Sequence, residues 1–226
     1  MASERQLLKK FDVVVVGAGT AGCMAAKTVA DAGLEVCLID RKNGENVGEK
    51  VCGDAVGKHH FDSLGLDYPS GEELERTILG AKIYSPNTET IFHIKGEGLS
   101  AFSINRHLFG QRLLRNTIDA GSAFLEATQV LEPIIENGFV AGVLARDMET
   151  GSKITLHCQV VVDASGFSAV IRKRLPPKMG VDTEVDNRDV EICYREIRKL
   201  KEQVSDTEFC ELYLSQTVAP GGYAWI

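Results

Sequence analysis

The sequence lacks several features that would place it in a simple class of protein. Its six cysteines form no Cys-x-x-Cys pair and no Cys/His spacing typical of zinc sites. Its 25 basic residues are outnumbered by 32 acidic ones, so the net charge is −7 and no basic field for nucleic acid exists. The N-terminus is polar and the apolar runs are short, so neither a secretory signal nor a membrane span is expected. We therefore expect a cytoplasmic protein with reduced thiols, whose contact with a membrane would be peripheral, at the cytoplasmic face.

What the chain does contain is typical of a globular protein. A length of 226 residues suits one large domain or a domain and a half. The hydrophobic fraction of 44% is sufficient for a folded core, and the 22 glycines exceed the 6 prolines severalfold. The glycines are therefore the more informative of the two residue types that mark turns.

The segment "FDVVVVGAGTAGCMAAKTVADAGLEVCLID" predicts a strand, a helix and a second strand in succession. Residues 13–16 are β-branched, as in a strand buried on both faces of a parallel sheet. A Gly-x-Gly-x-x-Gly turn follows at residues 17–22, and apolar residues then recur at helical spacing until Gly33. A second buried strand at residues 34–39 ends at Asp40. This order predicts an α/β dinucleotide-binding unit of Rossmann type.

Each residue of this motif has a distinct task. Gly17 permits the tight turn, Gly19 lets the backbone approach a pyrophosphate, and Gly22 lets the helix pack closely on the strand. The helix N-terminus offers N–H groups and partial positive charge to the phosphates. Asp40 can accept both ribose hydroxyls and would repel a 2′-phosphate, which favours FAD or NAD over NADP. A loop at residues 41–58 then interrupts the Rossmann pattern, as FAD enzymes tend to do.

The remaining chain mixes strands with one long helix. Residues 104–121 predict an amphipathic helix, and turn signals at residues 136–138 and 148–151 predict a three-stranded antiparallel meander. A buried strand at Val160 to Val162 leads into Asp163-Ala164-Ser165-Gly166. After the boundary at Pro176-Pro177, residues 189–200, "EFCELYLS" and "GGYAWI" predict strands of a second sheet. The chain stops at Ile226 within the last of these strands, and we expect a fragment.

These pieces resemble the FAD-dependent enzymes of the p-hydroxybenzoate hydroxylase fold group, and more specifically the archaeal geranylgeranyl reductases. The residues that carry the closer resemblance are "KVCGDAV", "FDSLGL-YP-GEELE", "YSP" and "PGGYAW". The resemblance implies a fold with a Rossmann-like FAD-binding domain, a β-meander and the start of an antiparallel-sheet substrate domain. It also implies domains at 1–175, lacking the family's C-terminal Gly-Asp segment, and at 176–226, with 67–104 adding strands to the substrate sheet.

The resemblance implies roles for individual residues. Cys52 would be catalytic, beside the flavin and the substrate double bond, although a free cysteine in a tight loop is more often a small buried filler. Tyr223, Trp225 and Pro220 would contact the substrate. One helix arginine would lie near FAD, with Arg106 a nearer match than Arg112. The full set implied to contact FAD is Gly17, Gly19, Thr20, Ala21, Gly22, Asp40, Arg41, Lys50, Val51, Cys52, Gly53, Asp54, Arg106, Val130, Ala164 and Gly166.

The implied activity is reduction of geranylgeranyl double bonds in archaeal digeranylgeranylglycerolipids, with an external electron donor such as NAD(P)H or a ferredoxin-like protein. Two alternatives stay open from the sequence. One is an FAD-dependent aromatic monooxygenase of the same fold, although such enzymes typically lack the Cys-Gly-Asp loop. The other is a truncated domain without catalytic activity. No metal and no nucleic acid are expected.

Overall fold

The computed structural model of the chain describes residues 9–96, 98–199, 201–202 and 206–226. The described chain divides into two compact units. One contains the described residues up to Glu49 together with Gly110–Cys193, and the other contains Lys50–Phe109 together with the described part of Tyr194–Ile226. Each unit is thus built from two separate segments. The predicted domain boundaries at 1–175 and 176–226 stay a prediction about where cofactor and substrate bind.

The helices and strands occur in the following order. The first part of the chain contains β1 (Lys9–Val16), α1 (Thr20–Asp31), β2 (Val36–Ile39), β3 (Ala55–Gly57), α2 (Lys58–Leu64), β4 (Leu74–Ile78), β5 (Gly80–Tyr84), β6 (Ile91–Lys95), β7 (Ala101–Ile104) and α3 (Arg106–Asp119). The second part contains β8 (Ala123–Leu125), β9 (Thr128–Glu136), β10 (Phe139–Asp147), β11 (Lys153–Asp163), β12 (Phe209–Tyr213) and β13 (Ala224–Trp225).

The first unit is organised by a six-stranded sheet in the order β8-β2-β1-β11-β10-β9. Strands β8, β2, β1 and β11 are parallel, and β10 and β9 continue the sheet in antiparallel pairing. The valines at 13–16 are buried, as the β-branched run predicts for a strand covered on both faces. The predicted Rossmann-like core and the three-stranded meander β9-β10-β11 are both confirmed.

Strand β11 belongs both to the meander and to the parallel part of the sheet. It pairs with β10 through residues 153–157 and with β1 from Leu156 to Asp163. Its C-terminal part is a strand as predicted, but Val160 is 52% exposed, so the prediction that this part is buried was wrong for that residue. Pairing with β1 satisfies the backbone of β11 there without covering the Val160 side chain.

Two helices are fixed to this sheet by buried contacts. Helix α1 ends before Gly33, whose φ of +77° is the left-handed conformation expected of a residue just past a helix C-terminus. In α3, the buried Thr117 hydroxyl reaches the carbonyl oxygens of Cys23 in α1, at 2.9 Å, and of Leu113 in its own helix, at 2.8 Å. The α1–α3 contact therefore joins two elements that are far apart in the chain.

The second unit contains two smaller sheets. Strands β3, β7 and β4 form an antiparallel sheet, and β13, β12, β5 and β6 form a mixed sheet in which β12 and β5 run parallel. The predicted second sheet is thus present but is not purely antiparallel, and its role in binding substrate stays a prediction. A cluster of aromatic rings (Phe61, Tyr68, Phe102 and Phe109) forms edge and tilted contacts with centroids 5.2–6.2 Å apart.

One face of the mixed sheet carries aligned apolar side chains from all four strands. Pairing aligns Trp225 with Leu212, Leu212 with Ile83, and Ile83 with Phe92, so one apolar side chain from every strand lies in a single row. The adjacent row on the same face contains Cys210, Ala81 and Ile94. The opposite face carries Lys82, which pairs with Asp206 at 2.9 Å, and the stacked rings of Tyr84 and Tyr213.

One predicted strand is wrong. Within residues 189–199 the structure describes no strand, and Leu200, the last residue of the predicted segment, lies outside the described residues. The alternation of apolar residues suggested a strand, but Ile192, Tyr194 and Ile197 are 96%, 82% and 84% exposed. An alternating pattern forms a strand only when a neighbouring strand satisfies its backbone, and none is paired with these described residues.

Candidate functional site

The turn between β1 and α1 is held in a tight conformation by its glycines. Gly17 has a φ of +102°, and a Cβ on it would approach the Ala164 carbonyl oxygen to 2.6 Å. A Cβ on Gly22 would overlap the carbonyl oxygen of Gly17 itself. Both glycines are therefore required by packing, as the fingerprint predicts for the first and third positions.

Gly19 differs from its two neighbours in the motif. A Cβ placed there would meet nothing within 4 Å in the part of the chain that the structure describes, and its φ of −73° suits any residue. Gly19 is also the N-cap of α1, whose first turn includes the exposed Ala21 and carries no acidic residue. A helix N-terminus with open space above a glycine is suited to a phosphate group.

Asp40, directly after β2, is hydrogen-bonded to the glycine-rich turn. Its Oδ2 accepts a hydrogen bond of 2.6 Å from the Ala18 N–H, and its Oδ1 accepts one of 2.8 Å from the Lys42 N–H. An ionised carboxylate offers about four acceptor positions, so further donors such as ribose hydroxyls can still be accommodated. Arg41, which follows Asp40, is exposed.

The segment that follows β11 packs directly against this turn. The Ala164 N–H donates to the Val16 carbonyl at 2.9 Å, and the Ala164 side chain lies in the space facing Gly22. Gly166 has a φ of +66°, and among the described atoms nothing would lie within 4 Å of a Cβ there. Ala164 is thus a packing residue of the motif, and Gly166 borders open space.

Asp163 organises the loop around these two residues, which the sequence had not indicated. Its Oδ1 accepts hydrogen bonds from the Ser165 hydroxyl (2.5 Å) and N–H (3.2 Å), and its Oδ2 accepts from the N–H groups of Ile171 (3.0 Å) and Arg172 (2.9 Å). Burial opposes ionisation, but the hydrogen bonds from Ser165 and Arg172 hold the pKa of Asp163 below its usual value.

We expect Asp163→Asn to lower the free energy of unfolding by about 1–3 kcal/mol at neutral pH, because Asn cannot accept all four hydrogen bonds. The folded pKa lies below the unfolded one, so this stabilisation is complete above about pH 4 and is lost as the pH falls through the folded value. Urea titrations at several pH values should show the difference between the two proteins shrinking in acid. The exposed Asp182→Asn is the control, and an equal loss at pH 3 and pH 7 would contradict this account.

The loop after Asp40 is anchored to α3 by two hydrogen bonds that no sequence pattern predicted. The Gln111 amide donates to the carbonyl oxygens of Gly44 (2.7 Å) and Val47 (2.8 Å). A Cβ on Gly110 would overlap the Cα of Gly48, so both positions favour glycine. Loop residues 44–48 are therefore fixed from the first turns of the helix.

Val130 and the two arginines of helix α3 also have defined surroundings in the structure. Val130 in β9 is buried in the core cluster of the first unit, with its strand neighbour Thr128 donating its N–H to the Asp40 carbonyl at 2.8 Å. Both helix arginines are half-buried. Arg106 lies 5.9 Å from the Phe109 ring and its charge acts on Asp54, whereas Arg112 lies in the part of α3 that belongs to the first unit.

In the second unit, the Cys-Gly-Asp loop and the C-terminal aromatic stretch come together. A Cβ on Gly53 would overlap the six-membered ring of Trp225, so the indole lies against the loop backbone. Cys52 is half-buried and the preceding Lys50 and Val51 are exposed. Pro220 and Tyr223 are exposed as well, and Tyr223 lies just outside β13.

Asp54 is the buried member of this loop. It is 4% exposed and its φ is +61°. Its Oδ2 lies 2.6 Å from the Arg195 guanidinium. Burial raises the pKa of Asp54, and the charges of Arg195 and Arg106 act in the opposite direction. Arg195 was missed by sequence reasoning, because it stands in a segment whose alternating apolar residues predicted a strand.

Metal chemistry and membrane insertion find no support in the described residues. No group of three or more His, Cys, Asp or Glu side chains there is arranged to hold a metal ion. No helix among them is both long enough and apolar enough to cross a membrane.

Comparison with known proteins agrees with the cofactor expected from the turn. A family model described as "FAD binding domain" matches residues 10–223. The digeranylgeranylglycerophospholipid reductase of Sulfolobus acidocaldarius is 39% identical over 216 residues, which are 96% of this chain and 47% of the relative. The reductase of the same name from Methanothrix thermoacetophila is 32% identical over 221 residues, 96% of this chain and 53% of the relative. The chain spans about half the length of the curated relatives it matches.

Solved structures show the same fold. A geranylgeranyl bacteriochlorophyll reductase-like protein from Thermoplasma acidophilum has a TM-score of 0.79 at 23% identity, covering 96% of this chain and 53% of that chain. A myxobacterial chondrochloren halogenase, an FAD-dependent enzyme, has a TM-score of 0.61 at 20% identity, covering 74% and 39%. The predicted p-hydroxybenzoate hydroxylase-like fold is confirmed. Since the family model covers nearly the whole chain, the chain belongs to the FAD-binding domain family, and its cofactor is FAD.

Proposed function

We propose that the chain is the N-terminal half of an FAD-dependent reductase that saturates geranylgeranyl double bonds in archaeal digeranylgeranylglycerolipids. The observation that carries this proposal is the packing of Trp225 on Gly53, next to Cys52 and at one end of an apolar row across the mixed sheet. The 39% identity to a digeranylgeranylglycerophospholipid reductase over 96% of the chain supports the same substrate class.

The residues of the turn fit the diphosphate and ribose of FAD. In this proposal Gly19, Thr20 and Ala21 offer backbone and helix N-terminus to the phosphates, and Asp40 accepts from the ribose. Gly17, Gly22 and Ala164 shape the turn by packing. The other residues proposed to contact the cofactor are Arg41, Lys50, Val51, Cys52, Gly53, Asp54, Arg106, Val130 and Gly166.

The apolar face of the mixed sheet suits a prenyl chain. Phe92 is 58% exposed and Trp225 is 37% exposed, so the two ends of the row have apolar surface to bury. An isoprenoid tail has no polar group to orient it, so shape and apolar contact must supply most of its binding. We assign substrate contacts to Pro220, Tyr223 and Trp225.

Saturation of an isolated double bond adds one hydride and one proton to the two carbons. Reduced FAD supplies the hydride when it is bound. The chain must hold the proton near the second carbon, and the half-buried thiol of Cys52, the residue before Gly53, is the group we assign to that role.

Turnover requires electrons from outside the chain. We propose an external donor, NAD(P)H or a ferredoxin-like protein, and peripheral contact with the cytoplasmic face of the membrane that contains the lipid. Neither partner is recognised by a sequence motif in this chain.

The first test is the visible spectrum of the purified chain, with mass spectrometry of the small molecule released by heat. We expect oxidised flavin bands and the mass of FAD. A folded but colourless protein that takes up no added FAD would contradict the assignment of the turn.

The second test is anaerobic re-oxidation of the reduced whole protein by a geranylgeranyl lipid. We expect Cys52→Ala to bind FAD normally and to slow re-oxidation by roughly 100-fold or more, the range for loss of a positioned proton donor. The exposed Cys193→Ala is the matched control and should react like the wild type.

Other outcomes distinguish the alternatives. An unchanged rate in Cys52→Ala would remove that residue from the chemistry. No re-oxidation by lipid, together with peroxide formation that rises with an aromatic ligand, would favour a monooxygenase.

A further inference from the structure

Asp54 is an unusual residue to find at the centre of an irregular loop. Its side chain is almost fully buried, and its Oδ1 has no hydrogen-bond partner among the residues that the structure describes. Its φ of +61° lies in the left-handed region, which few residues other than glycine adopt. A buried carboxylate with one unsatisfied oxygen is unfavourable unless a specific partner compensates for it.

That partner is Arg195. Its Nη2 lies 2.6 Å from Asp54 Oδ2, and the Arg195 side chain is itself only 31% exposed. Both residues belong to the second compact unit. The pair is therefore a desolvated, charge-assisted contact, in contrast with the surface ion pairs of the same region.

Arg195 reaches the loop from a segment with little other attachment. In the described range 194–199, the remaining side-chain hydrogen bonds are local, from Tyr194 and Arg198 to Glu196. The side chain of Ile197 is exposed and does not anchor this segment to the second unit. Arg195 is thus the residue through which this segment acts on the Cys-Gly-Asp loop.

Three contacts from different parts of the unit converge on Gly53 and Asp54. Arg195 binds the Asp54 carboxylate, the Ile104 N–H donates to the Asp54 carbonyl at 3.0 Å, and Trp225 covers Gly53. The preceding residue is the half-buried Cys52. Fixing two consecutive residues in this way restricts the backbone that carries the thiol.

We propose that Arg195 is the positioning residue of the Cys-Gly-Asp loop, holding Asp54 so that Cys52 keeps its half-buried orientation. The inference rests on the proposed function for its catalytic meaning, since the loop is assigned there to flavin and substrate. Arg195 acts through Asp54 and does not itself touch the reacting atoms.

The test is the rate at which each cysteine of the cofactor-free chain is alkylated by iodoacetamide, followed by peptide mass spectrometry. Arg195→Met should raise the rate at Cys52 roughly tenfold, because local opening of the loop becomes easier. Arg195→Lys restores the charge and should bring the rate back toward the wild type. Arg198→Met, in the same segment but paired with Glu196 and not with Asp54 among the described residues, is the matched control and should leave the rate unchanged.

Cys158, buried in the core of the first unit, and Cys210, half-buried in β12 of the second unit, report unfolding of the two units in the same samples. If Arg195→Met also exposes Cys158 or Cys210, Asp54→Asn is tested in its place, because that variant leaves no buried carboxylate without a partner. The double variant Asp54→Asn/Arg195→Met should raise the Cys52 rate no further than either single variant.

A rise at Cys52 below about threefold, or an equal rise in Arg198→Met, would overturn the proposal. The readout needs no cofactor, so it is separate from the proposed function. If Cys52 responds as expected but the wild type binds no FAD, the proposed function fails and the loop contact stands. If FAD binds and Cys52 does not respond, only this inference fails.

Discussion

Gly19→Val should greatly weaken FAD binding while leaving the chain folded. Space for the new side chain exists, because a Cβ at Gly19 would meet no described atom within 4 Å and the backbone conformation there is ordinary. The open space is where the proposed pyrophosphate approaches the N-terminus of α1. A valine would fill it, and we expect the affinity for FAD to fall by roughly 100-fold or more, equivalent to about 2.7 kcal/mol.

The measurement is a titration of the cofactor-free protein with FAD, together with thermal unfolding of both proteins. Gly96→Val is the matched control, because Gly96 also faces open space among the described residues but lies outside the motif. The control should bind FAD as the wild type does. Normal FAD binding by Gly19→Val would show that the cofactor does not approach this position.

Gly22→Ala, in contrast to Gly19→Val, should destabilise the fold itself. The new Cβ would overlap the Gly17 carbonyl oxygen, and Gly17 cannot retreat because it already lies against Ala164. Helix propensity alone would favour alanine by about 1 kcal/mol, so the sign of the result separates the two effects. We expect a loss of about 3 kcal/mol from overpacking against rigid backbone.

Thermal unfolding should detect this loss as a decrease in Tm of roughly 6–12 °C. Gly19→Ala is the matched control: the same substitution three residues earlier meets open space and should shift Tm only slightly. An unchanged or raised Tm in Gly22→Ala would mean that α1 can move away from β1, contrary to the close packing described here.

The predictions that succeeded rest on short-range patterns. The strand, turn and helix over residues 9–31 follow from an apolar run, a glycine fingerprint and helical spacing, all within one stretch of chain. The meander follows from two turn signals that separate alternating segments. In each case the forces that select the structure act between residues near each other in sequence.

The prediction that failed shows the limit of such patterns. Residues 189–199 alternate like a strand but form none in the structure. Alternation indicates which side chains could share a face, but a strand also needs a neighbour for its backbone hydrogen bonds. Whether a neighbour is present depends on the whole sheet.

The sequence by itself determined the Rossmann-like unit, its glycine-rich turn and the acid at the end of β2, because these depend on local backbone geometry and hydrophobic periodicity. Only the tertiary structure decided that Trp225 covers Gly53, that Gln111 anchors the loop at Gly44, and that Arg195 pairs with Asp54. Such contacts join residues far apart in the chain. Their existence depends on which surfaces become buried together when the sheets assemble, and no periodicity or spacing encodes that.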